Sequence, residues 1–259
     1  ISEADDAPLR CGVESVSLAW AALGLFIFLA YTVEALTGFG SIVIALSLGA
    51  LLLPVDQLLP ILVPLNILMT GPLTWRLRRQ VDWRLLRTLI LPAMLAGTLL
   101  GYGMQPWLGD QLVRMLFGAL VCWFAARSLW AMFHQLPDTV RPVWLTRVWV
   151  LLAGITHGLF ASGGPLLVYG LSGVALDKSR FRATLLSVWF LLNLALTLAF
   201  AFDGRLVAAL PTLVWYLPLL PLGVWLGEWL HGRIDEQRFR QLVMVLLLFA
   251  GAALLWPAA

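Results

Sequence analysis

Long apolar runs separated by short, arginine-bearing loops dominate the chain. The runs are Leu58 to Trp75, Leu85 to Gly103, Leu112 to Phe133, Ala183 to Phe202, Leu206 to Leu230 and Leu242 to Trp256. Most approach or exceed the roughly 20 residues that an α-helix needs to cross hydrocarbon, so they predict transmembrane helices. Period-two alternation is absent, which disfavours a membrane β-barrel.

Basic residues assign the loops to sides. Arg76, Arg78, Arg79, Arg84 and Arg87 cluster between the first two long runs, placing that loop in the cytoplasm. The loop 104–111 has none and belongs outside. Arg141 and Arg147 put the linker at 134–147 inside, and Lys178, Arg180 and Arg182 put 177–182 inside too. The stretch 148–176 therefore starts and ends on one side. It has only 29 residues, with Ser162-Gly163-Gly164-Pro165 at its middle, whereas two crossings need about 40. A re-entrant hairpin of two half-helices resolves the conflict, provided its break is buried in protein or lines a cavity. Residues 203–205 read as outside, 231–240 as inside. The stretch 16–53 then begins and ends outside, broken at Thr37-Gly38-Phe39-Gly40-Ser41; it is long enough for a deep hairpin or nearly two spans.

The chain also repeats itself. Leu91-Pro92, Gly97 and Gly101 recur as Leu217-Pro218, Gly223 and Gly227, an offset of 126 that also pairs Asp110 with Glu236, Arg114 with Arg240 and Trp130 with Trp256. The fold class expected is an all-α polytopic membrane protein with two inverted repeats. Each repeat is a broken helical hairpin plus three transmembrane helices. The boundaries are a polar N-terminal segment 1–15, repeat 1 at 16–132, a cytoplasmic linker 133–147 and repeat 2 at 148–257.

Composition agrees. Apolar residues make up 61% and charged residues 12%, about half the charge of a soluble domain, and the mean hydropathy is +0.91. The net charge of +3 is explained by loop orientation, so no nucleic-acid partner is expected. Cys11 and Cys122 are too few for a disulfide framework. Tryptophans flank the expected boundaries, as at Trp75, Trp83, Trp144 and Trp229.

The glycine-rich breaks are the sharpest chemical feature. Pro165 suits a first helical turn, and a half-helix starting there exposes unpaired N–H groups and the positive end of its dipole. Two such ends near the midplane would form an anion site. The competing explanation is that the glycines merely let helices cross. Glu34, three residues before the first break, is a carboxylate at depth. It is a candidate for carrying a coupling proton or for pairing with an arginine. His157, in the second hairpin, either relays a proton or is a core imidazole bonded to a backbone carbonyl. Asn66 and Asn193 lie mid-span, each four residues before a threonine (Thr70, Thr197), on one helix face. Interhelical bonding and substrate contact are both open to them. The two Gly-xxx-Gly pairs read as packing faces. Pro92 and Pro218 should kink their spans, and Arg114 should pair with Asp110. Paired-cysteine metal signatures, phosphate loops and Ser/His/Asp arrangements are absent, so neither metal, cofactor nor catalytic residues are expected.

These motifs resemble the sulfite exporter TauE/SafE family, also called the toluene sulfonate uptake permease family. The resemblance rests on the duplicated layout, the early Thr-Gly-Phe-Gly-Ser break, the second break with Gly163-Gly164-Pro165 and the later Gly-xxx-Gly helix in each half. It implies a multi-pass bacterial inner-membrane transporter of small sulfur-containing anions such as sulfite or organosulfonates, often outward. Thr37, Gly38, Gly40, Ser41, Ser162, Gly163, Gly164 and Pro165 match the family's breaks and become the expected substrate contacts, with Asn66 and Asn193 beside them. Glu34 and His157 are the proton-coupling candidates. The rivals are an anion channel, a membrane-embedded enzyme and a structural subunit.

Overall fold

The computed structural model describes residues 7–37, 40–134, 142–171, 174, 177–230, 233 and 235–256. All regular structure among them is helical. The first half contains α1 (Ala7–Thr37), α2 (Ser41–Gly49), α3 (Val55–Leu77), α4 (Trp83–Leu85), α5 (Leu91–Met104) and α6 (Asp110–Phe133). The second contains α7 (Val143–Phe160), α8 (Gly164–Gly170), α9 (Lys178–Phe202), α10 (Arg205–Tyr216), α11 (Leu219–Leu230) and α12 (Glu236–Leu255). Among the described residues six spans are long and apolar enough to cross a membrane, or seven if α10 and α11, bent by 48°, form one span. The chain is a multi-pass membrane protein.

Local chemistry sets the helix starts. Asp82 accepts a hydrogen bond from Leu85 N at 2.9 Å and Asp177 one from Arg180 N at 2.9 Å, each satisfying a first-turn donor. Arginines beside these starts lie against tryptophan rings: Arg78 is 4.3 Å from Trp75 and Arg87 is 5.2 Å from Trp83, with Arg233 likewise 4.3 Å from Trp229. Cation and ring together suit the headgroup level.

The two expected kinks differ. Pro218 lies at the 48° bend between α10 and α11. Pro92 does not break its helix: α4, a π-helical turn at Leu86–Ile90 and α5 form one continuous span, Trp83–Trp107. A proline ring crowds the carbonyl four residues back, here Thr88, and the wider π-turn gives that carbonyl room.

Hydrocarbon solvates apolar side chains, so burying leucine does not hold these helices together; close backbone packing does. Gly97 and Gly101 on α5 face Gly154 and Gly158 on α7, and a Cβ at Gly97 would stand 2.8 Å from Gly154 Cα. Gly223 and Gly227 on α11 meet the Phe28–Ala35 stretch of α1 in the same way. Both pairs run parallel, since higher residue numbers on one helix face higher numbers on the other. Gly118 and Gly251 bring α6 and α12 together, and that pair is antiparallel, because Cys122 lies against Leu248 while Gly118 lies against Leu254. The central pair α3 and α9 is antiparallel as well: Asn66 meets Asn193, Gly71 meets Phe190 and Thr74 meets Leu186.

The hairpins are asymmetric. The sequence leads one to expect two half-helices in the second and a deep hairpin or nearly two spans in the first, but α1 and α7 both contain segments of spanning length and only α2 and α8 are short. The apolar runs before each break keep their helical hydrogen bonds up to the break. Only the returning arm, confined between the break and the next loop, is cut to 9 residues in α2 and 7 in α8. α1 also begins at Ala7, well before the Val16 expected.

Candidate functional site

Both breaks converge on the middle of the α3·α9 pair. At the first, Gly40 has φ +103°, a left-handed conformation that only glycine adopts cheaply. It turns the chain into α2, whose residue Ser41 is buried. Gly38 lies outside the described residues, as does the side chain of Thr37. At the second break, Ala161 has φ +50°, Ser162 is buried, and Pro165 occupies the first turn of α8. A Cβ on Gly163 would overlap the carbonyl oxygen of Ala153, whereas one on Gly164 would make ordinary contact with Trp189 at 3.4 Å. Gly163 is thus required for close approach to α7, and Gly164 borders open space beside an aromatic ring.

A dry hydrogen-bonded chain joins the first break to both central helices. Ser41 N donates to Glu34 Oε2 at 3.2 Å, Asn66 Nδ2 donates to Ser41 Oγ at 3.1 Å, and Asn193 Nδ2 donates to Asn66 Oδ1 at 2.7 Å. All four side chains are at least nine-tenths buried, Asn193 to 1% exposure. Every donor points towards the carboxylate, so the chain has a direction. Its far end is open, because Asn193 Oδ1 has no partner, and Thr197 Oγ1, four residues further on, has none either. Buried polar atoms are nearly always paired, so unpaired ones here mark a place for a missing polar group.

His157 completes the cluster from the other side. It is fully buried and stacks on Trp189 with centroids 6.0 Å apart. The Leu192 backbone interacts with the ring, though neither ring nitrogen is in full hydrogen-bond geometry with a partner. The ring is held by aromatic stacking, and a Cβ added at Gly163 would stand 3.1 Å from the His157 Cβ. Glu34, the other titratable candidate, pairs with no arginine; its partner is the backbone of α2.

A cavity of about 690 Å³ opens at the far end of α2, lined by Asp56, Gln105, Gln111, Arg114, Asp203 and Arg205 among others. Three loops share this face: the turn after α2, the turn between α5 and α6, and the turn between α9 and α10. Arg205 donates to Asp203 Oδ2 at 2.7 Å and to Gln105 Oε1 at 3.0 Å, and Tyr102 OH also donates to Asp203. Burial tends to raise the Asp203 carboxyl, but the hydrogen bonds from Tyr102 and Arg205 outweigh it and hold the group below its ordinary range. The expected Asp110–Arg114 pair does not form. The ion pairs among the described residues are Asp203–Arg205 and Asp235–Arg238, and Arg114 Nε is buried without a partner. Helical spacing allows the pair, but both side chains line the cavity without meeting.

Residues 23–254 match the family described as Sulfite exporter TauE/SafE. The chain belongs to the TauE/SafE family. Its match extends from α1 to α12 and takes in both breaks, the Asn66–Asn193 pair and all the glycine contacts described above. Among curated proteins, it is similar to the probable inner membrane transporter protein TsaS of Comamonas testosteroni, at 28% identity over 179 residues, covering 68% of this chain and 73% of the relative. No solved structure matches it. As a TauE/SafE member the chain is a membrane transporter.

Sequence reasoning passes over three participants. Trp189 was hidden because tryptophan was being read only as an interfacial marker; its position mid-span, away from any loop, was the available signal. Gly154 and Gly158 were overlooked as the partners of Gly97 and Gly101, although their spacing of four is the same.

Proposed function

We propose that this chain is an inner-membrane carrier that moves a small sulfur-containing oxyanion, sulfite or an organosulfonate, by alternating access. One observation carries the proposal: two broken hairpins, one from each half, meet beside the antiparallel α3·α9 centre, where buried Asn193, Thr197 and His157 hold unpartnered polar atoms. A compact oxyanion with several acceptor oxygens is a group that the Thr197 hydroxyl and the His157 N–H could satisfy, and the N-terminal ends of α2 and α8 add favourable dipoles. Ser41, Ser162, Gly163, Gly164, Pro165, Asn66 and Asn193 are the proposed contacts.

The two halves are proposed to be inverted repeats, divided near 133–147. Support comes from the directions of sequence-equivalent helices. α3 runs antiparallel to α9 and α6 to α12, and a two-fold axis that relates antiparallel neighbours lies in the membrane plane rather than along its normal. Rocking of one half against the other would expose the centre alternately to each side. The 690 Å³ cavity is then the vestibule on the outer face, where loop charge assigns its three loops. Net movement is outward when the anion is in excess inside.

The test is flux of labelled sulfite and of an alkanesulfonate in proteoliposomes. Saturable flux, with each anion inhibiting the other, is expected; non-saturable conductance would replace the carrier with a channel. Gly164→Asp places a carboxylate at the start of α8, where the Cβ has room. It should abolish anion binding in a folded protein, and unchanged sulfite binding would refute a site there.

A further inference from the structure

We infer that Glu34 is a tethered anion which competes with the transported anion for the N-terminal end of α2, so that substrate enters when Glu34 takes up a proton. This rests on the carrier proposed above. The Glu34 carboxylate accepts the Ser41 N–H at 3.2 Å, and it occupies the place at a helix N-terminus that an external anion would take. The second, independent observation is at the far end of the same hydrogen-bonded chain. There His157, fully buried beside the other break, leaves both ring nitrogens unpartnered, and a neutral imidazole brings one N–H donor to the centre. The centre is therefore built for one more polar group than the chain supplies.

Among the described residues no cation pairs with the carboxylate. Tyr31, one turn earlier on α1, is the titratable group beside it. α2 has no titratable residue and presents Ser41; α3 presents Asn66, its Asp56 and Arg76 lying at its two ends. α11 meets this part of α1 with Gly223 and Gly227, and its Glu228 is exposed. The charged residues of α12, Glu236, Arg238 and Arg240, are confined to its start, and Arg238 pairs with Asp235. Two anions about 4 Å apart in such surroundings repel strongly enough to weaken binding on the order of a thousandfold. Ionised Glu34 and a sulfonate cannot share the α2 end.

Protonation changes the balance. The proton is taken from the vestibule or the cytoplasm and stays on a Glu34 carboxyl oxygen; no bond to the substrate forms or breaks. The freed Ser41 N–H and the α2 dipole then act on the incoming anion. Proton and anion bind together and leave together, so one proton accompanies each monovalent anion in either direction. An outward anion gradient carries protons out, and an inward acid gradient draws the anion in.

The experiment uses the full chain in proteoliposomes with ethanesulfonate, a strong-acid anion that stays ionised from about pH 5 to about pH 8, leaving only the protein to titrate. Wild-type affinity should tighten as pH falls, by up to about tenfold per pH unit, the limit for one linked proton. An entrapped pH dye should report protons moving with the sulfonate. In Glu34→Gln the binding should become independent of pH and the proton signal should vanish. Should that variant fail to fold, Glu34→Asp serves instead: its shorter side chain withdraws from Ser41 N–H, so ethanesulfonate binding at high pH should strengthen. An equal pH slope in wild type and Glu34→Gln, or a flat profile in wild type, overturns the inference while leaving the carrier intact. Absence of any sulfite or sulfonate flux in wild type overturns the carrier itself, and this inference with it.

Discussion

Asn66 and Asn193, 127 positions apart, join the centres of α3 and α9 through a 2.7 Å hydrogen bond. Asn66 also donates to Ser41 Oγ, so one amide links a broken hairpin to both central helices. Asn193→Leu leaves Asn66 Oδ1 without its donor. A loss of about 1 kcal/mol in thermal stability in detergent is expected, together with a drop in sulfonate flux of about tenfold. A stability loss with normal flux would reduce the pair to a structural bond.

Gly101 and Gly158 admit no side chain. A Cβ on Gly101 would overlap the Ile155 carbonyl oxygen and one on Gly158 the Thr98 carbonyl oxygen, whereas Gly103, two residues on, has nothing within 4 Å. Gly101→Ala or Gly158→Ala should each cost about 1–3 kcal/mol as α5 is pushed off α7, and Gly103→Ala should be nearly neutral. Melting temperatures of the three purified variants provide the comparison.

The clasp of Tyr102, Asp203 and Arg205 should respond to acid. The Asp203 carboxyl is held below its ordinary range in the folded protein. Its contribution is therefore complete above the unfolded-state value and fades as pH falls through the depressed folded value. Asp203→Asn should flatten that acid-side decline in thermal stability, measured as the difference between variant and wild type across acidic pH. An unchanged decline would locate the acid sensitivity elsewhere.

His157 should be worth more to transport than to stability. Its two unpartnered ring nitrogens are buried, and an unsatisfied buried polar group costs about 1–3 kcal/mol. His157→Leu should melt at the same or a higher temperature and lose sulfonate flux. If the variant melts far lower, the imidazole is a core element and not a ligand.

Much of this architecture was legible in the residues. The long apolar runs pointed to the membrane-spanning helices, and the Gly-xxx-Gly pairs are the packing faces expected of them. Asn66 and Asn193 do bond across helices, as mid-span asparagines tend to. The remainder depended on tertiary placement. Hydropathy does not reveal how far a helix runs before a break, so α1 and α7 came out longer than expected. The i, i+4 spacing of Asp110 and Arg114 permits a pair, but spacing alone does not fix the rotamers that would close it, and both side chains line the cavity unpaired. The contact between Glu34 and Ser41 depends on the left-handed turn at Gly40, which no pattern of apolar positions encodes.

The glycine seams cross between the halves: α5 beds on α7, and α11 beds on α1. Neither half can fill its own groove. A chain cut at the linker would leave each fragment with a bare seam, and only the other fragment, or a second copy of itself, could close it.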